Sequence, residues 1–243
     1  EQALAQGIDM RDLPIKAGIF GAEPWTEEMR KRIEAASGIK AYDIYGLSEI
    51  IGPGVAIECG CQQGMHVFED HFYPEIINPE TGEVLPDGET GELVLTTLSK
   101  YAMPMIRYRT RDITKIIAEP CECGRTIRRI ARISSRSDDM FIIKGVNIFP
   151  MQVEKVLVQF PELGSNYLIT LETVNNQDEM IVEVELSDLS TDNYIELQKI
   201  SKAITRQLKD EILVTPKLRL VKKGSLPQSE GKAVRVKDLR DNK

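Results

Sequence analysis

Four short polar segments and two pairs of cysteines are where chemistry could reside in this 243-residue sequence. The first segment is Tyr45-Gly46-Leu47-Ser48-Glu49. A strand that ends in Gly presents a hydroxyl and a carboxylate together. Ser48 is placed to donate to a phosphate oxygen, and Glu49 to hold Mg²⁺ beside it, since a carboxylate next to a phosphate needs a cation. The second is Tyr108-Arg109-Thr110-Arg111-Asp112, read as a charged turn between two strands. An acidic side chain accepting ribose hydroxyls is a standard way to hold a nucleotide. The third is Arg136-Ser137-Asp138-Asp139, followed by Ile142-Ile143-Lys144-Gly145, where the composition changes and a hinge would fit. The fourth, Gly224 to Lys232, carries a Lys on a Gly-flanked loop, a compact charge that can move onto an anion. Each alone is equally a solvated turn, a charged hairpin, a linker or a basic tail.

The cysteines form the clusters Cys59-x-Cys61-x4-His66 and Cys121-x-Cys123. Zinc takes four S or N ligands in a tetrahedron, often from two chain segments. Cys59, His66, Cys121 and Cys123 are the preferred four, with Cys61 as alternate; the competing reading is reduced thiols beside a hydrogen-bonded His. His71, within Glu69-Asp70-His71, reads as structural.

The elements that must position these residues are short. Gly18 to Gly21 is a strand and turn. Thr26 caps a helix to about Ser37, with Glu27 and Glu28 in its first turn and Gly38 at its end. Ile39 to Tyr45 is a strand broken by Gly46. From Val55 to Ile133 several short strands with Gly/Pro punctuation predict a compact β-rich unit, including Gly91–Leu98, Met105–Tyr108 and Ile113–Ile117. Beyond the polar run 134–139, a helix at 150–160, strands at 167–174 and 180–186, a longer helix at 192–213 and a strand at 217–221 predict a small α+β sandwich. The tail from Lys222 reads as polar and mobile.

Composition narrows the class. The chain is 42% hydrophobic and 28% charged, with net charge −7 and signs interspersed. That disfavours a nucleic-acid partner, which calls for a basic stripe. No apolar run approaches the roughly 20 residues of a bilayer span, and the opening is polar, unlike a secretion signal. A cytoplasmic protein without a membrane partner is expected.

The order Tyr-Gly-x-Ser-Glu, Gly-Glu-Leu, Tyr-x-Thr-x-Asp, Arg-x-Asp-Asp and a C-terminal Gly-Lys resembles the adenylate-forming superfamily over essentially the whole chain. Gly21-Ala22-Glu23-Pro24-Trp25, Glu69-Asp70-His71, Arg107-Tyr108-Arg109-Thr110-Arg111-Asp112 and Lys144-Gly145-Val146-Asn147-Ile148-Phe149-Pro150 are similar to the phenylacetate-CoA ligase branch. The resemblance implies an α/β and α+β fold: residues 1–137 as the C-terminal portion of the AMP-binding domain with its β-rich subdomain, and 138–243 as a small α+β lid. It implies ATP-dependent adenylation of an aryl acid and thioester formation with CoA. Gly21, Ala22, Glu23 and Pro24 would border the adenine and acyl pocket, with Asp43 and Tyr45 along the adenine face. Ser48 and Glu49 would face the phosphates and Mg²⁺. Asp112 would hold the ribose, assisted by Arg136. Asp138 would be the hinge, Lys232 the catalytic lysine, and Gly145 would border the path of CoA. The Ser/Thr/Gly-rich phosphate loop of the family has no match upstream of Gly18, so the sequence reads as a fragment, inactive alone. The rival readings are a non-catalytic nucleotide-binding or zinc-stabilised module, and an enzyme loading a carrier-protein thiol. The partners implied are an aryl acid, ATP/AMP and CoA, with a homodimer an open alternative.

Overall fold

The computed structural model describes residues 3, 6–22, 25–175, 177–187, 193–227 and 234–240. The chain divides into two compact units, Glu1–Asp138 and Asp139–Lys243.

In the first unit, β1 (Ala17–Phe20) pairs in parallel with β2 (Lys40–Leu47), and the helix α1 (Glu27–Ser37) connects them. Local signals set the ends of α1. Thr26 Oγ1 accepts from the Met29 N–H at 3.2 Å, and Gly38 takes φ 72°, a left-handed cap that costs Gly little. Antiparallel pairing then adds β3 (Ile51–Glu58), β4 (Met65–Val67), β9 (Arg129–Ile130) and β8 (Ile116–Ile117), giving a six-stranded sheet in the order β1-β2-β3-β4-β9-β8. A second, antiparallel sheet orders β10 (Ser135–Arg136), β7 (Tyr108–Thr114), β6 (Gly91–Thr97) and β5 (Phe72–Ile77). Val55, Met65, Ile76, Leu93, Leu95 and Ile130 belong to one apolar cluster fed by both sheets.

Three expectations need correction here. Gly46 does not break β2; the strand runs on to Leu47, and the register with β3 shifts between Tyr45 and Leu47. A Cβ on Gly46 would lie 2.9 Å from the Ile51 carbonyl, so the missing side chain admits the neighbouring backbone instead of ending the strand. Residues 108–112 are not a turn but most of β7, because Thr110 and Asp112 are buried with non-local partners. Residues 105–107 are irregular.

In the second unit, a long antiparallel hairpin of β13 (Leu163–Val174) and β14 (Gln177–Leu186) is flanked by parallel partners. These are β15 (Lys217–Val221) on β14 and β16 (Val236–Asp238) on β13. Helices α2 (Pro150–Leu157) and α3 (Tyr194–Ile212) bury Val153, Val156, Ile204 and Leu208 in the same cluster as Ile169 and Val182. Ile204, Leu208 and Ile212 recur every four residues, the spacing of one helix face. A small hairpin, β11 (Phe141–Ile143) and β12 (Val146–Ile148), turns on Lys144 and Gly145 at φ 52° and 80°. Positive φ at both central residues is the type I′ hairpin signature. The tail is not wholly free: β16 is paired, Leu226 is buried, and its N–H donates to Glu185 at 2.8 Å. Among the described residues no helix is long and apolar enough to cross a membrane.

Candidate active site

Strand alternation places the first group. Asp43 and Tyr45 are two residues apart on β2, so their side chains leave the same face. Both are buried. Tyr45 Oη donates to Asp112 Oδ2 at 2.6 Å. Arg136 on β10 is the register partner of Asp112 on β7, and its Nη1 donates to Asp112 Oδ1 at 3.0 Å. The same guanidinium donates through Nε and Nη2 to both oxygens of Asp138, each at 2.9 Å. Tyr45, Asp112, Arg136 and Asp138 therefore form one continuous polar chain, supplied by three strands and the residue at the boundary of the unit. Burial first, and then the Asp112 charge, pushes the Tyr45 phenol far up, so it stays a donor. Burial also pushes the Asp138 carboxyl up, but Arg136 outweighs it and the net shift is downward.

Asp43 sits in a different environment. Its Oδ2 lies 3.4 Å from Arg132 Nε, and its backbone N–H donates to Glu58 Oε2 at 2.7 Å. Burial raises its carboxyl above the ordinary range despite Arg132. Trp25 packs between two guanidinium groups, Arg132 at 4.6 Å and Arg30 at 5.2 Å from the ring centroid. Arg30 is itself held by Glu58 at 2.8 Å. Gly21 follows β1, and a Cβ there would stand 2.6 Å from the Ile44 carbonyl, so only Gly lets the turn lie against β2. Ala22 next to it takes φ 73°. Glu23 and Pro24 lie outside the described residues.

Ser48 and Glu49 are exposed in the turn after β2. The Glu49 carbonyl accepts from Lys100 Nζ at 2.5 Å. Burial and the Glu49 charge both raise the Tyr108 phenol, which puts that hydroxyl in the field of Glu49. Gly145 belongs to the second unit, in the hairpin turn, with open space where a Cβ would be. Lys232 lies outside the described residues.

Sequence reasoning assigned no role to Glu92, yet it is completely buried. Arg109 donates to its two oxygens at 2.9 and 2.7 Å, and Ser137 Oγ donates to Oε2 at 3.3 Å. The signal was present: a lone carboxylate opening the apolar run Leu93-Val94-Leu95.

The cysteine clusters also converge. Cys59, His66, Cys121 and Cys123 bring their ligand atoms within 4.8 Å of one another. Burial pushes the Cys59 thiol up to about 12, while the Arg125 backbone N–H brings Cys123 down to about 7. His71 is apart from them, with its Nδ1 2.7 Å from Ser99 Oγ.

Residues 145–240 match the AMP-binding enzyme C-terminal domain family. Over 97% of its length the chain is similar to 2-hydroxyisobutyryl-CoA ligase solved in its postadenylation state with an acyl-AMP, at 29% identity and a TM-score of 0.88, covering 51% of that chain. The fold and sequence are those of the adenylate-forming CoA ligases. Within that class the sequence is similar to phenylacetate-CoA ligases over the stretch it covers. It is 49% identical to the phenylacetate-coenzyme A ligase of Pseudomonas putida, over 97% of this chain and 53% of the relative. The corresponding figures for the Escherichia coli enzyme are 47%, 97% and 54%. The chain thus spans about half the length of the curated relatives it matches.

Proposed function

We propose that this chain supplies the nucleotide-holding corner and the small mobile domain of a cytoplasmic, AMP-forming acid–CoA ligase acting on aryl acids of the phenylacetate kind. The observation that carries the reading is the polar chain Tyr45–Asp112–Arg136–Asp138. It presents a fixed carboxylate at the join of three strands, held by donors on both oxygens. A carboxylate so fixed is suited to accept the two hydroxyls of a ribose without reorganising. Gly21 and Ala22, lying against β2 beside Asp43 and Tyr45, border the flat face where adenine is proposed to sit.

The first half-reaction joins a carboxylate oxygen of the acid to the α-phosphorus of ATP, and pyrophosphate leaves. Charge on the phosphoryl oxygens is the main burden, so positioning and neutralisation carry the step. Lys232 is proposed to bridge the acid and the α-phosphate. Ser48 donates to phosphate oxygens. Glu49, a single exposed carboxylate, fits Mg²⁺, which takes one or two protein carboxylates and retains waters; when bound, the ion neutralises phosphate charge. In the second half-reaction the CoA thiolate attacks the acyl carbon and AMP leaves. Rotation about Asp138 withdraws Lys232 and brings the Gly145 hairpin to the adenylate, so one site serves both steps. The similar 2-hydroxyisobutyryl-CoA ligase has been solved in both a postadenylation and a thioesterification state, which supports a two-state cycle. The phosphate loop is proposed to come from the stretch of the relatives that this sequence does not match.

The test is product formation by the full-length protein with ATP, Mg²⁺, CoA and a panel of aryl acids. The expected result is AMP release and a CoA thioester, with arylacetates the preferred acids. Thioester formation only on a carrier-protein thiol would replace CoA as the acceptor. AMP release with none of the acids would remove the ligase reading.

A further inference from the structure

We infer that Cys59, His66, Cys121 and Cys123 form a closed structural zinc site that staples the far edge of the six-stranded sheet, leaving Cys61 outside the metal.

The ligands come from three places: the end of β3, the middle of β4, and the loop between β8 and β9. Two similar turns deliver the sulfurs. The Gln62 N–H donates to the Cys59 carbonyl, and the Gly124 N–H to the Cys121 carbonyl, each at 3.0 Å. Gln62 and Gly124 both take positive φ, at 52° and 80°. Each Cys-x-Cys pair is thus held in a closed turn before any metal arrives. His66 is pinned by pairing with β3 through Ile57 and with β9 through Arg129.

The spacings fit the ion. Zn–S near 2.3 Å and Zn–N near 2.0 Å in a tetrahedron give S···S edges of about 3.8 Å and S···N edges of about 3.5 Å. The Cys59 and Cys121 sulfurs are 3.6 Å apart, and Cys123 Sγ is 3.4 Å from His66 Nε2. A disulfide needs about 2.05 Å, so these thiols are gathered without being bonded. Three thiolates and a neutral imidazole around Zn²⁺ carry a net charge of −1. Binding requires all three thiols as thiolates, so zinc affinity falls as the pH is lowered.

Four protein ligands leave no open position, which marks a structural rather than a catalytic metal. The local need is evident. β4, β8 and β9 are two or three residues long, and residues 118–128 between β8 and β9 have no regular structure. Short strands with such a loop gain order from a cross-link. Cys61, half-buried in its turn, is outside the four.

The experiment needs no catalytic readout. The full-length protein, purified from zinc-supplemented cells, should hold one zinc per chain by elemental analysis. Replacement by Co²⁺ should give the visible bands of tetrahedral cobalt with thiolate charge transfer. Iodoacetamide on the native protein should modify Cys61 at least about tenfold faster than the other three thiols, and chelation should remove that difference. Cys61→Ser should keep one zinc, while Cys121→Ser should lose it. If Cys121→Ser does not fold, mercurial titration of the native protein decides, releasing one zinc as its thiols are blocked. Zinc near zero per chain, equal labelling of all four thiols before chelation, or loss of zinc in Cys61→Ser would overturn the assignment.

Discussion

Lys232→Ala in the full-length protein is expected to slow pyrophosphate release at least about 100-fold, the scale seen when one preorganised charge is removed from a transition state. Thioester formation from chemically supplied acyl-adenylate should stay within about threefold of the parent, because in the proposed cycle the lysine has left before CoA attacks. The contrast between half-reactions is what gives the prediction its force. A lysine that merely stabilised the small unit would weaken both steps together. Single-turnover assays of each half-reaction check it, with Lys222→Ala, on the loop preceding the same segment, as control. Equal losses in both steps would deny Lys232 its proposed place.

Glu92→Ala is expected to destabilise the first unit by about 3 kcal/mol, the cost of leaving one member of a buried pair unpartnered. Arg109 is partly exposed, with a side chain 36% accessible, so water recovers some of that loss and the value belongs at the low end of the range. Urea unfolding measures it, and Glu89→Ala at an exposed loop position should change little. A pH dependence follows. Burial opposes the charged form of Glu92, but Arg109 and then Arg111 outweigh it and lower its pKa in the folded protein. Its stabilisation is therefore complete above the ordinary carboxylate range and is lost as pH falls through the lowered folded value. Parent and Glu92→Gln should accordingly converge in stability at acid pH. Because Ser137 reaches Glu92 and its N–H donates to the Arg111 carbonyl at 2.7 Å, the residue before the proposed hinge is also expected to loosen.

What the sequence disclosed was what is local. Thr26 and Gly38 announce both ends of α1 because capping is settled within four residues. The β13–β14 hairpin and the face of α3 follow from apolar periodicity. The strand β7 was hidden because its buried side chains are polar: Thr110 bonds to the Leu93 carbonyl, and Asp112 to Tyr45 and Arg136. None of those partners is a sequence neighbour, so the segment looks like a solvated turn. β16 was hidden because three residues carry no period and its partner, β13, lies far earlier in the chain. The hairpin at Lys144–Gly145 has strands of three residues, again too short for a pattern. Glu92 stayed without a role because its partners Arg109 and Ser137 become neighbours only through strand pairing.

Asp112, clamped by Tyr45 and Arg136, is proposed to hold the nucleotide. The direct measurement is calorimetric binding of a non-hydrolysable phenylacetyl-adenylate analogue to the full-length protein and to Asp112→Ala, with Asp87→Ala, at an exposed turn, as control. Loss of a carboxylate hydrogen-bonded to two ribose hydroxyls should weaken binding by about 30-fold or more, since hydrogen bonds to charged groups contribute about 1.5–3 kcal/mol each. Asp87→Ala should bind as the parent does. Unchanged affinity in a folded Asp112→Ala protein would deny Asp112 that role.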